Sequence, residues 1–230
     1  MKRIVLFFTV ALLLTVAVSA QSAINAVVLE IAGKVEFKAP GQDWKTAKVG
    51  SVITRGTIVS TGFKSTASLK VGEATITVKP VTRLTFEELI KTEGGTQTQL
   101  FLTSGRVKAD VTPSKTEKVA FSIKSASATA SVRGTGFEFD GFNLLVTHGM
   151  VELRNNWGQY RNVGGGEYSY LETDNSVSIP IAANPENGLN GLKDLVKQAK
   201  MEADAENLTT KVSQPGLGET NTATMVFTIQ

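Results

Sequence analysis

Cysteine is absent from this chain of 230 residues. No disulfide, thiolate nucleophile or cysteine-ligated metal centre is therefore available. An exported chain without cysteine fits a bacterial periplasm better than a eukaryotic extracellular space, where small domains lean on disulfides. Histidine occurs once, as His148. A Ser/His/Asp triad would have to use it, and a multi-histidine metal site is ruled out. His148 stands just before a glycine and reads as a solvated turn residue. A strong excess of one charge is also missing, with 24 Lys and Arg against 21 Asp and Glu. The chain lacks the basic balance that nucleic-acid binding calls for. No apolar run reaches the roughly 20 residues that a spanning helix needs.

The longest such run, Ile4 to Val16, instead follows Lys2 and Arg3 and leads to Val18-Ser19-Ala20. A charged start, an apolar middle and a small-residue exit make a secretory signal peptide, cleaved after Ala20. The expected address is the periplasm, or secretion to the cell surface, with no integral membrane span in the mature chain.

Beyond the leader, short runs of alternating apolar residues recur between glycine and proline punctuation. Ala26 to Ile31, Val35 to Phe37 and Val49 to Ile53 are strand candidates. The clearest hairpin joins Ala67–Val71 to Ala74–Val78 through Gly72-Glu73, with Ala74, Ile76 and Val78 facing inward. Val107, Ala109 and Val111 alternate, as do Val119, Phe121 and Ile123, and Phe142, Leu144 and Val146. Tyr168 and Tyr170 share a face. The pattern predicts an all-β domain over residues 21–181. The remainder, 182–230, reads as a helix from Asn190, a loop at Gln214–Gly218 and a last strand carrying Ala223, Met225, Phe227 and Ile229. The narrow apolar stripe of that helix suits docking on the β domain.

One phrase recurs, an aliphatic strand followed by Gly-x-Val, at Gly33, Gly105 and Gly149. A glycine there permits a corner that a side chain would obstruct. The unequal spacing excludes a fixed solenoid period. The centre of the chain is Ala126–Asp140, where Arg133-Gly134-Thr135 separates a small, polar run from Phe137-Glu138-Phe139-Asp140. Phe137 and Phe139 take one face, Glu138 and Asp140 the other. Arg133 is the most pointed residue. Partly buried among small neighbours, it would need an internal carboxylate or would grip an anionic ligand, and the internal pair is the expected case. Arg133 and Thr135 are candidate binding residues. Trp44, Trp157 and Tyr160 are candidates for stacking on sugars, although dispersed aromatics more often serve packing. Glu87 and Glu88, adjacent in a strand, should face opposite ways and make no convergent acid–base pair. No catalytic residue and no cofactor or metal site is read from the chain.

These motifs resemble the FecR domain family of bacterial envelope proteins. The likeness is carried by Gly33-Lys34-Val35, Trp44, Gly50…Gly56…Ile58…Thr61-Gly62, the hairpin Ala67 to Val78, Gly105-Arg106-Val107, Val132-Arg133-Gly134-Thr135-Gly136-Phe137 and Gly149-Met150-Val151. The resemblance implies a twisted β-sandwich or roll-like, solenoid-like domain in the periplasm, with one C-terminal helix and a final strand added here. It implies no reaction. Members that pass iron-citrate signals to a sigma factor carry a cytoplasmic segment and a retained membrane helix, whereas only Met1 to Arg3 precedes the apolar run here. Thr57 stands where an acidic residue is often found. The expectation is a stand-alone, non-enzymatic exported protein that binds or senses an envelope protein or a cell-wall glycan. A structural or adhesive surface protein and a carbohydrate-active enzyme are the alternatives.

Overall fold

Glycine corners carry the chain back and forth between two β-sheets in a computed structural model that describes residues 22–92, 94–184, 188–189, 191–192, 197 and 201. The chain forms two units, Met1–Leu189 and Asn190–Gln230. The first contains every strand among the described residues. In chain order these are β1 (Ser22–Ala23), β2 (Ala26–Ala32), β3 (Val35–Lys38), β4 (Lys45–Thr46), β5 (Val52–Ile53), β6 (Ile58–Thr61), β7 (Thr66–Val71), β8 (Ala74–Val78), β9 (Arg83–Thr92) and β10 (Gly95–Ser104). There follow β11 (Val107–Val111), β12 (Lys118–Lys124), β13 (Ala128–Val132), β14 (Gly136–Phe139), β15 (Asn143–His148), β16 (Met150–Asn155), β17 (Tyr160–Gly164), β18 (Glu167–Tyr170) and β19 (Ile181–Ala182).

The front sheet runs β4-β3-β6-β9-β10-β12-β13-β16-β17, with β1 paired on β9. The back sheet runs β5-β2-β7-β8-β11-β14-β15-β18-β19. Both orders climb almost in sequence, so each new hairpin is laid on the same end of the roll. Among the described residues the pairings are antiparallel except β10 with β12, which is parallel. The expected all-β roll is what forms. The leader, 1–20, and the last strand lie outside the described residues. So does the expected helix, apart from Gly191, Leu192, Lys197 and Met201, which are helical. Two strand readings change. Val49 and Gly50 belong to a turn, leaving only Val52–Ile53 in β5. The run Arg83–Thr92, which alternates poorly, forms the long strand β9.

The core lies between the sheets. Leu69, Ile76 and Val78 from the back meet Leu84, Phe86, Leu100 and Ile123 from the front, all fully buried. Phe121 sets its ring edge-to-face on Phe137, centroids 6.3 Å apart. Each such side chain stabilises the fold by about 1.5–3 kcal/mol.

The recurring Gly-x-Val phrase has a common structural cause. Gly33, Gly105 and Gly149 mark crossings between sheets, at β2 to β3, β10 to β11 and β15 to β16. Each sits against a buried hydroxyl of a neighbouring corner. The amide after each glycine donates to that hydroxyl: Lys34 N–H to Ser65 Oγ at 2.8 Å, Arg106 N–H to Thr82 Oγ1 at 3.0 Å and Met150 N–H to Thr135 Oγ1 at 3.3 Å. All three hydroxyl residues are buried. A side chain at Gly105 would place its Cβ 2.5 Å from Thr82 Cα, at a φ of +89°. The apolar Val that follows then enters the core.

Strand β14 is buried on both faces. Phe137 and Phe139 point into the core, while Glu138 lies on the outer face of the back sheet. Arg106 Nε stands 3.3 Å from its carboxylate, and the Leu189 amide lies 3.4 Å from Oε2. Register sets Glu138, Leu145 and Tyr168 side by side on that outer face, and all three are buried. The Tyr168 hydroxyl donates to Asn143 Oδ1, and its ring stacks on Tyr170.

Thr82→Val removes the hydroxyl that accepts from the part-buried Arg106 amide, and urea unfolding should show a loss of about 1–3 kcal/mol. Gly105→Ala should cost more, because the left-handed backbone adds about 1–2 kcal/mol to the steric conflict. Unchanged midpoints would show that the corners do not hold the roll. A second expectation concerns pH. Burial, and then the Asp140 charge, push the Tyr168 phenol above its ordinary value of 10.0. The folded state thus favours the neutral phenol, so this stabilisation is complete below about pH 10 and is lost as pH rises toward the folded value. Thermal melts should fall off on the alkaline side, and Tyr168→Phe should flatten that fall.

Candidate functional site

The outer face of the front sheet carries a trough of about 520 Å³ across β10, β12, β13, β16 and β17. Alternation creates it. In β12, Phe121 and Ile123 point inward, which turns Ala120 and Ser122 outward. In β13, Ala130 and Val132 are buried, which turns Ser131 outward. These short side chains make the floor, and longer ones on neighbouring strands make the walls.

Register aligns the polar groups in one row across five strands: Gln99, Ser122, Ser131, Glu152 and Asn162. Four strand spacings give the row a span of about 19 Å. Gln97, Arg133 and Met150 flank it. Ser122, Ser131 and Asn162 have no side-chain hydrogen-bond partner among the described residues. Glu152 is engaged, with Oε1 2.8 Å from Arg154 Nη2. The arrangement offers hydroxyls and amides to a polar ligand.

The bulge between β9 and β10 overturns the expectation for Glu87 and Glu88. The register shifts between Gln99 and Leu100, so that two residues stand between the buried Phe86 and Leu89. An extra residue of this kind breaks the alternation. Both carboxylates reach the front face, where Gln99 Nε2 donates to Glu87 and Gln97 Nε2 to Glu88, each at 2.8 Å. Each is thus held by an amide near the middle of the front sheet.

Arg133 also departs from expectation. It is exposed, and it forms no ion pair among the described residues. Val132 takes the inward position, so the next side chain is thrown outward, while Gly134 turns the backbone against Pro113. Beside the trough, Arg133 also lines a recess with Pro113, Ser114, Glu117, Lys118 and Val119. Thr135 is 1% exposed and does not line the trough. Its hydroxyl donates to the Met150 carbonyl at 2.9 Å, which fixes the start of β16.

The aromatic candidates do not converge. Trp44, 41% exposed, precedes the edge strand β4, with Arg83 5.7 Å from its ring centroid. Trp157, 68% exposed, sits in the turn after β16, its amide bonded to Asn155 Oδ1. Tyr160 opens β17 under the Arg154 guanidinium, 4.6 Å from its ring. Eight strand spacings, about 38 Å, separate β4 from β17. Gln97, Ser122, Ser131, Glu152 and Asn162 were not marked by the sequence. Alternation shows that such residues face outward, but only the register reveals that they line up. His148 is exposed at the end of β15. No cluster of three or more His, Asp or Glu side chains able to hold a metal occurs among the described residues. No helix among them is long and apolar enough to cross a membrane.

Residues 57–152 match the family described as FecR protein. The matched segment runs from just before β6 into β16 and holds most of the trough. Two crystal structures, at 1.65 and 2.50 Å, of a protein from Parabacteroides distasonis provisionally described as an anti-sigma factor are similar to this chain. Their identities to it are 12% and 11%, and their TM-scores 0.47 and 0.48. Each alignment covers 56% of this chain and 61% of the other, so the chain spans about three-fifths of those proteins. No curated protein matches the chain.

The contrast between Arg133 and Thr135 can be measured. Arg133→Glu should leave thermal stability within about 0.5 kcal/mol, as surface changes usually do. Thr135→Val, which strips the Met150 amide and carbonyl of a part-buried partner, should cost about 1 kcal/mol. A large loss from Arg133→Glu would restore the internal clamp.

Proposed function

We propose that this chain is a non-enzymatic, exported FecR-domain protein that acts as a binding or sensing module in the periplasm or at the cell surface. The match to the FecR family supports a regulatory or sensing class of protein. The leader-like start supports export. The observation that carries the reading is the registered row across the front sheet, whose Ser122, Ser131 and Asn162 side chains are unengaged among the described residues. A floor of short hydroxyls between amide walls is suited to a polar chain laid across the strands. A cell-wall glycan has the hydroxyl and amide groups to match it. The front-face carboxylates Glu87, Glu88 and Glu152 are each already held by an amide or a guanidinium, which favours recognition over proton transfer.

Co-sedimentation with purified bacterial cell-wall sacculi tests this. The full chain should pellet with the sacculi, and Ser131→Trp, which fills the floor, should reduce the bound fraction at least tenfold without shifting the melting temperature. Equal retention of both forms would move the ligand elsewhere. Release of soluble sugar that disappears in Glu88→Gln or Glu152→Gln would make the protein a carbohydrate-active enzyme instead.

A further inference from the structure

The ends of the two sheets are unequal. At three of the four ends the last strand has two residues: β4 and β5 at one end of the roll, and β19 at the other. Very short edge strands are a common way of blunting an edge against unwanted pairing. The fourth end is β17, with five residues, Tyr160–Gly164. No strand pairs with its outer side among the described residues. It contains no proline or lysine, and its pairing with β16 runs without a bulge.

The hydrogen-bond phase identifies the unpaired groups. The Asn155 amide donates to the Gln159 carbonyl at 2.9 Å. Antiparallel bonds recur at alternate pairs. The backbone groups of Arg161 and Val163 therefore face β16, and those of Tyr160 and Asn162 face outward. At the far end, Glu167 Oε2 accepts from the Gly164 amide at 2.6 Å, which closes the open stretch.

Along this edge runs a hollow of about 700 Å³, lined by Gly158 to Asn162 on one side and by Ser176 and Val177 on the other. The far wall is anchored. Asn155 Nδ2 donates to the Asn175 carbonyl at 2.8 Å, and Val177 bridges to Leu171. Arg161 is exposed in the hollow and has neither an ion pair nor a side-chain hydrogen bond among the described residues. Its neighbour Arg154 is occupied by Glu152 and by the Gly158 carbonyl.

From this geometry we infer that β17 accepts an extended segment of a partner protein as an added antiparallel or parallel strand, with an acidic side chain of that segment meeting Arg161. Main-chain bonds to Tyr160 and Asn162 would supply affinity, and the guanidinium would supply selectivity. This goes beyond the trough reading and does not depend on it.

The probe is an end-blocked heptapeptide of alternating valine and threonine with a central aspartate, titrated into the full-length chain labelled with nitrogen-15. Amide shifts should concentrate in Tyr160–Gly164. A version methylated on alternate backbone nitrogens should bind at least tenfold more weakly, and so should a version with central lysine. Asn162→Pro, which removes an outward amide without touching the ladder to β16, should weaken the parent peptide at least tenfold. Arg161→Glu should invert the preference, favouring the lysine peptide, which keeps the inference testable if the proline variant fails to fold. Equal binding of parent and methylated peptides would overturn it. So would shifts confined to the trough, or a dimer joined through β17. Sacculus binding in the presence of a saturating peptide separates the two surfaces. Its persistence is expected, and its loss would place peptide and glycan in one site and overturn the inference of a separate edge.

Discussion

A hydroxyl buried beneath a glycine corner is the contact on which this roll depends. Every crossing between the sheets interrupts both ladders and leaves main-chain groups short of partners. Burying them unsatisfied would cost about 1–3 kcal/mol each. Ser65, Thr82 and Thr135 meet that need from the adjacent corner. The absence of a β-carbon lets the corners approach closely enough for the bond to form. Neither half of the device works alone, since the hydroxyl needs the space and the space needs the hydroxyl. Thr61 extends the pattern by accepting from the Thr82 amide at 3.0 Å.

The fold was largely legible in the sequence because its signals are local. Alternation at Ala74, Ile76 and Val78, and again at Phe137 and Phe139, states which side chains are inside, and the structure agrees. The recurring Gly-x-Val phrase marked the corners, although not the hydroxyls opposite them, which lie 15 to 31 positions in the chain from the amides they accept from. The site was less legible. A bulge cannot be seen in Glu87-Glu88, yet it decides that both carboxylates reach one face. Ser122 and Ser131 are unremarkable residues until pairing sets them opposite each other. Arg133 drew notice by its neighbours, but the inward place had already gone to Val132. The tail posed a different problem, since the expected helix and last strand fall almost wholly outside the described residues.

The front and back faces differ in what they offer. On the back, Glu138, Leu145 and Tyr168 are buried, and the Leu189 amide lies against Glu138. On the front, a comparable stretch of sheet is open, and its central strands are floored with serine and alanine. Burial of a carboxylate beside Arg106 is tolerated on the covered side because the guanidinium and an amide both address it. On the open side, Glu87, Glu88 and Glu152 are held by amides or a guanidinium. The edge at β17 adjoins the open front side.

The parallel pairing of β10 with β12 has a consequence for how the molecule is assembled. Elsewhere a finished hairpin offers its free side to the next one, so the roll can lengthen from its amino-terminal end as the chain is delivered. At this joint β12 cannot dock until β11 has crossed to the opposite sheet and the chain has returned. Residues 95–104 therefore stay unpaired on that side until 118–124 arrive. During that interval the ten residues of β10 expose a long unpaired margin, the stretch of the half-built roll most open to pairing with a wrong strand.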